Sequence, residues 1–537
     1  MKKFLLFALL VLALPVGAEK LPDNIYFRAM QDEMKRTVKE LRTKEKDGQK
    51  PFYVVYKLTT DLGGYIVSAS MGSPLPAFSF GNFVSAKVLV DVGSSQHDSL
   101  GFERHNNWWD PYAPTNTTIM PNGYDGVRQS LWEATNAEFV KVNELYKEKQ
   151  AYKRKKNLLN EKTPDFAPSD QASYVEDIKP WPAPDMQVWQ DVVNKLSAQG
   201  KDLPYVEKFE VGVQFYQAGT YYLNSDGGFY QTFYPAGSVY WTAVLRTKDG
   251  YKDTESEYLF LSSWNVADNE KRLQEKTDKF LAKIKQHYQA QKGTAYLGPV
   301  LFTKEAASDF MGLLIRGVEK NKPLLSAAYE DDPEAGELRN KVGMRVLSPV
   351  VDVYDRPHLR EFKGRRLSNF APVDDEGVAT QDLTIVSGGK LVQLPSSRRS
   401  VKKGEKSNGH AFFRNAYPRE RLTTVVVEPK NPLSKKELEE KLLSRCKELE
   451  LDYCYIVPDM SGKDAMIERI YTADGHKEPV TGLEISNLTT RALRDILAAG
   501  DDSDSYSNVI VPSLLVDEIE LLPSDRRPDR KPFIARP

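Results

Sequence analysis

Few residues in this 537-residue sequence are placed to do chemistry. Asp374, Asp375 and Glu376 are consecutive acids that could hold a metal or work as an acid and base pair. With His410 they are the candidate hydrolytic site built from the chain's own side chains. Three successive residues on a strand alternate in direction, however, which favours a polar turn before Gly377 over a shared site. The six histidines (His97, His105, His287, His358, His410 and His476) have no His or Cys neighbour at metal-ligand spacing. Each therefore reads as a packed or surface histidine. The sequence carries no P-loop, G-x-S-x-G elbow or H-E-x-x-H. Cys446 falls near the end of an amphipathic stretch over 435–448, and Cys454 lies in the strand-like run 451–457. Two readings stand for them: a helix-end to strand disulfide, or two buried thiols packing as small hydrophobes.

The elements around these residues indicate an α+β protein. Hydrophobic residues make up 40% and charged residues 28%, an ordinary globular balance. Lys+Arg total 74 against 75 Asp+Glu, which argues against a dedicated nucleic-acid binder. Lys2 and Lys3, the apolar run Phe4 to Leu14 and the small residues Val16-Gly17-Ala18 form a secretory signal pattern over 1–18. That run is too short to span a bilayer, which needs about 20 residues. The mature protein is thus expected to be exported, periplasmic or secreted, without a transmembrane segment.

Residues 19–291 read as a mixed helix and sheet domain. Helices are expected over 23–43, 125–155 and 267–290, with strands at 51–58, 64–69, 86–92 and within 204–263. The basic group Lys147, Lys149, Lys153, Arg154, Lys155 and Lys156 reads as a solvated helix end. Five prolines over 163–185 mark an irregular connection. Residues 292–537 read as a mostly-β domain after one helical stretch ending near Val318.

One segment carries more specific information: Gly298-Pro-Val-Leu-Phe-Thr-Lys-Glu-Ala-Ala-Ser-Asp-Phe-Met-Gly-Leu-Leu-Ile-Arg-Gly317. It resembles the strand and helix that bear the active site in the TldD/TldE (PmbA) metallopeptidase-related family. The similarity continues through Leu347 to Leu359, Val373 to Leu391, Ser407 to Ala411, Arg421 to Thr424, Val480 to Leu488 and Arg494 to Leu497. Ala29 to Met34 and Tyr222 to Gly227 resemble N-terminal family segments more weakly. Catalytic members carry H-E-x-x-x-H on this helix and a late Cys, which together hold zinc. Here the first ligand position is Gly312, the carboxylate position Leu313 and the second ligand position Gly317. No cysteine follows Cys454.

The resemblance implies a TldE-like chain with no catalytic residue and no zinc of its own. A TldD-like partner would carry the zinc, and unfolded peptides would be the substrates. A stand-alone peptide-binding or surface protein on the same fold is the alternative. A further alternative is a hydrolase with a non-zinc site around the acids and His410.

Overall fold

The computed structural model describes residues 20–42, 49–81, 83–103, 118–159, 163–248, 250–319, 325–326, 338–399, 404–414, 417–460 and 466–524. The signal-like segment 1–18 and His105 lie outside the described residues.

Helix α1 (Ile25–Glu40) begins at Asn24, whose side chain accepts the N–H groups of Tyr26 and Phe27 and so caps the first turn. Its apolar spacing buries Phe27, Met30 and Met34 on one face. The two expected strands over 51–69 form one strand, β1 (Pro51–Ser70), interrupted between Asp61 and Gly64 by a register shift. Gly63 there has φ +128°, a conformation that glycine adopts without steric cost. After β2 (Val84–Val92) comes the long helix α2 (Tyr124–Lys155), and then α3 (Met186–Ala198). Strands β3 (Val206–Asn224) and β4 (Phe229–Arg246) form a hairpin across the Asn224–Gly228 turn. The Asn224 side chain accepts the Gly228 N–H at 2.8 Å to close that turn. Strand β5 (Lys252–Phe260) and helix α4 (Glu270–Gln289) complete this part.

Among the described residues these strands and shorter ones make a nine-stranded sheet. Its path runs β5-β4-β3-β1-β2 and ends on Thr118–Met120. Alternation along β1 assigns its two faces. Tyr56 and Leu58 are buried in the core that includes α1 and α2 residues, with the Tyr56 hydroxyl 3.0 Å from Thr37 Oγ1 and 3.1 Å from Thr135 Oγ1. Lys57 and Thr59 point the other way, toward the second half of the chain. Further along β1, Val67 and Ala69 enter a separate core with Trp189 of α3 and Phe280 of α4.

The second half opens with β6 (Tyr296–Phe302) and α5 (Lys304–Glu319). It continues through β7 (Val351–Asp355), β8 (Leu383–Ser387), the hairpin β9 (Ala411–Arg414) and β10 (Tyr417–Glu420), and β11 (Val425–Pro429). Helix α6 (Lys435–Glu448) carries a Ser434–Glu437 capping box. After it come β12 (Tyr453–Val457), β13 (Ile467–Tyr471), β14 (Lys477–Thr481), β15 (Leu483–Ser486), β16 (Val509–Val511) and β17 (Leu514–Pro523).

One sheet has the order β14-β13-β12-β6-β17-β15 beyond the short strand Gln291–Lys292. A second has β8-β7-β11-β16 at its centre. Helix α5 packs Phe310, Met311 and Leu314 into the core shared with both sheets, and Phe310 stacks on Phe302 at 5.1 Å. The whole is α+β, with a helix-and-sheet first part and a mostly-β second part. Cys446 and Cys454 are joined as a disulfide between α6 and β12, with Cα atoms 6.4 Å apart. No helix among the described residues is long and apolar enough to cross a membrane.

The basic end of α2 corrects one expectation. Lys147, Arg154, Lys155 and Lys156 are exposed, but Lys149 and Lys153 are buried. Lys149 pairs with Asp98 and, at 3.1 Å, with Asp165, while Lys153 reaches Asp165 at 2.6 Å. Their charges are compensated by acids distant in sequence, so helical spacing alone could not reveal their burial.

Candidate functional site

The helix expected to bear the family's zinc motif is α5, and its ligand positions face packing. Leu314 and Ile315 are buried, and Leu313 packs partly buried against the same core. A Cβ on Gly317 would stand 2.7 Å from Leu338 Cδ1, and one on Gly312 would stand 3.0 Å from Arg316 Nη1. Glycine and leucine offer no lone pair to a cation and no proton acceptor, so these residues do not fit zinc. Among the described residues no three His, Cys, Asp or Glu side chains come together as a metal-binding group.

The acids 374–376 are fully buried in a turn, and each is committed to a different neighbour. Asp374 accepts the N–H groups of Glu376, Val378 and Ala411 at 2.8–3.0 Å. Burial, reinforced by the adjacent Glu376, pushes its carboxyl well above the usual range. Asp375 takes Lys57 Nζ at 2.8 and 3.0 Å, the Tyr230 hydroxyl at 2.7 Å and the Phe413 N–H at 2.8 Å. Glu376 takes the Arg398 N–H and the Arg399 guanidinium, each at 2.6 Å.

His410 is not part of this set. Its Nε2 lies 2.9 Å from Asp355 Oδ2, and Asp355 also accepts the N–H and hydroxyl of Thr423. The four candidate residues therefore do not converge on a common reacting position.

What the turn does is join the two halves of the chain. Arg399 reaches Asp91 at 2.7 Å, Asp98 at 3.2 Å and Glu376 at 2.6 Å. These carboxylates hold its guanidinium charged against the cost of burial. Beside it, Arg398 donates to the Ala167 carbonyl, pairs with Asp226 at 2.9 Å and lies 3.8 Å from the centre of the Phe166 ring. Acids from the first sheet and its loops thus meet arginines from the second half.

Next to this junction is a cavity of about 340 Å³. Strands β1, β3 and β4 form its floor, and the 366–373 segment with Phe412, Phe413 and Arg421 forms its walls. Strand register sets the floor in rows, of which Lys57, Tyr230, Thr59, Thr220 and Thr232 line the cavity while Lys87, Tyr222 and Ser85 share the rows outside its lining. Lys87, Lys57, Tyr222 and Tyr230 are successive cross-strand partners, with Tyr222 stacked on Tyr230 at 4.8 Å. Two residues further along, Ser85, Thr59, Thr220 and Thr232 form a hydroxyl row. On the opposite side Arg360 and Arg366 share Glu176 at 2.7 and 2.9 Å. Sequence reasoning missed this cleft. A lysine within the otherwise apolar and hydroxyl-bearing run Pro51 to Thr60 was the available signal, but its partners come from distant segments.

The first sheet with its helices, packed on a mostly-β second half bearing a strand-and-helix unit, defines the protein's class. Residues 295–522 match the PmbA/TldA metallopeptidase C-terminal domain. Over 234 residues the chain is 25% identical to a metalloprotease PmbA homolog of Haemophilus influenzae; the match spans 42% of this chain and 45% of that relative's length. The fold is similar to a candidate modulator of a DNA gyrase from Thermotoga maritima, with a TM-score of 0.61 and 15% identity, covering 92% of this chain and 100% of that one. It is similar also to TldE from Thermococcus kodakarensis, with a TM-score of 0.58 and 13% identity over the same shares. Residues 295–522 thus carry the PmbA/TldA metallopeptidase C-terminal domain, and the domain match, the curated relative and the shared fold together support a TldD/TldE (PmbA) family member.

Proposed function

We propose that this chain is a metal-lacking, TldE-like subunit of an exported peptide-degrading assembly, with zinc carried by a TldD-like partner. The observation that carries the reading is the chemistry of α5. The family's ligand and carboxylate positions are Gly312, Leu313 and Gly317, none of which has a side chain that can bind a cation or take a proton, and Leu338 already fills the space that a larger side chain at Gly317 would enter. The saturated acids at 374–376 leave no obvious substitute for a metal-activated water. The TldE neighbour among known folds and the signal pattern over 1–18 support the assignment and the compartment respectively.

Co-expression with a TldD-like homologue bearing H-E-x-x-x-H tests the assignment. The two chains should co-purify, and only their mixture should cleave an unfolded peptide. Cleavage by this chain alone after zinc loading would overturn it. N-terminal sequencing of the exported product should begin at Glu19; a retained Met1 in the host's soluble cytosol would remove the export part.

A further inference from the structure

We infer that the cleft over the first sheet binds a carboxylate of an extended peptide, on Lys57, Lys87 and Arg421. The inference rests on the proposed peptide-handling role for its substrate class and on the cleft itself for the charge.

Lys57 and Lys87 are directly opposed in the antiparallel register of β1 and β2, so their like charges share one face of the sheet. Such a pair is destabilising unless an anion compensates it. Among the described residues one carboxylate serves the two. Asp375 spends both oxygens on Lys57, Tyr230 and the Phe413 N–H, and has no capacity left for Lys87. Lys87 instead lies 5.5 Å from the centre of the Phe413 ring, which Lys57 approaches from 5.9 Å. Neither Lys87 nor Arg421 forms an ion pair with a described residue, and Arg421 is exposed at the cavity wall. Burial first, then the nearby charges of Lys57 and Arg421, lower the pKa of the Lys87 ammonium despite Asp375. An incoming anion would relieve that repulsion.

The cavity suits a carboxylate attached to a chain. The hydroxyl row of Thr59, Thr220 and Thr232 lies on the floor beside the lysines and offers donors to an oxyanion or to a peptide backbone. Tyr216 and Tyr234 continue the floor from the lysines toward Arg366, where side chains of an extended segment would lie. The carboxylate could be a peptide's C-terminus or an internal Asp or Glu.

Binding of three fluorescein-labelled, unstructured pentapeptides to the isolated full chain, read by fluorescence anisotropy, tests the inference. One peptide has neutral side chains and a free C-terminal acid, the second is its amide, and the third is the amide with one internal Glu. At least one carboxylate peptide should bind about tenfold more tightly than the neutral amide, the acid and the Glu peptide reporting which source is used. Lys87→Gln and Arg421→Gln should each remove most of that preference. Lys87→Gln should leave the melting temperature unchanged or raise it, because it relieves the opposed charges.

Equal binding of all three peptides, or binding of none up to millimolar concentration, would overturn the inference. So would a Lys87→Gln protein of unchanged melting temperature that keeps the full preference, or inorganic phosphate displacing acid and amide alike. The measurement needs no partner. Failure to co-purify with a TldD-like chain while the carboxylate preference persists sinks the subunit reading alone, and co-purification without the preference sinks this inference alone.

Discussion

Helix α5 and the turn at Asp374–Glu376 are opposites in composition. The helix holds the positions where the family resemblance expects zinc ligands and presents glycine and leucine at them; the turn presents three carboxylates and builds a joint. In α5 the side chains merge into a core of apolar neighbours, including Phe302, Val353 and Leu514. In the turn every acid is matched by a donor from a separate segment, Ala411 for Asp374, Lys57 for Asp375 and Arg399 for Glu376. Reactive residue types therefore mark a catalytic site only when some of their hydrogen-bonding capacity remains free for a substrate. A carboxylate already holding an arginine, or three backbone N–H groups, is structural whatever its pKa. The cleft beside the turn is the intermediate case, since one of its two opposed lysines is compensated and the other is not.

The largest effect that would break this comparison is expected at the joint. Arg399→Ala leaves Asp91, Asp98 and Glu376 buried without their shared cation, and should lower unfolding free energy by about 3–5 kcal/mol in urea titrations. A loss below about 1 kcal/mol would mean that the acids are not structurally committed, and would return them to candidacy as a site.

A second constellation sharpens the same contrast. His287 is buried between Asp253 at 2.8 Å and Glu255 at 2.6 Å, with Lys283 also on Glu255 at 2.5 Å. Burial alone would lower its pKa, but the two carboxylates outweigh it and hold the imidazolium up at about 9. A raised histidine pKa stabilises fully below the unfolded value near 6.5 and loses that contribution as pH climbs through about 9. The stability gap between the wild type and His287→Gln should be widest near pH 6 and should shrink by about 2–3 kcal/mol by pH 9.5. A gap that is flat across this range would show a neutral histidine, free to act as a base.

The smallest effect tests the helix. Gly312 sits in the interior of α5 with only the mobile tip of Arg316 near its missing Cβ. Gly312→Ala should therefore stabilise by about 0.5–1 kcal/mol through helix propensity, seen as a modest rise in melting temperature. A clear fall would indicate that the position is reserved for something other than packing.

Local periodicity made much of the architecture legible. The spacing of Phe27, Met30 and Met34 located α1, and Asn224 to Gly228 marked the hairpin between β3 and β4. The strand break expected between Leu58 and Gly64 is instead a bulge, because Gly63 lets one strand bend without ending. The turn reading of 374–376 was available from the direction of successive side chains. That the turn is buried was not, because its partners Lys57, Tyr230, Arg399 and Phe413 are scattered over 57–413. Lys149 and Lys153 misled for the same reason.

By itself the sequence determined the family resemblance, the α+β layout and the residue types at the positions where that resemblance expects zinc ligands. Each is written locally, in the order of short segments or in periods of two and 3.6 residues. Only the tertiary structure decided which charges are spent and which remain available. It set Lys57 opposite Lys87 and gave Asp375 to the first of them. It also sent His410 to Asp355 and closed Arg399 among three acids. The physical reason is that a charge's role depends on what surrounds it after burial, and those neighbours are brought together by strand register and sheet packing.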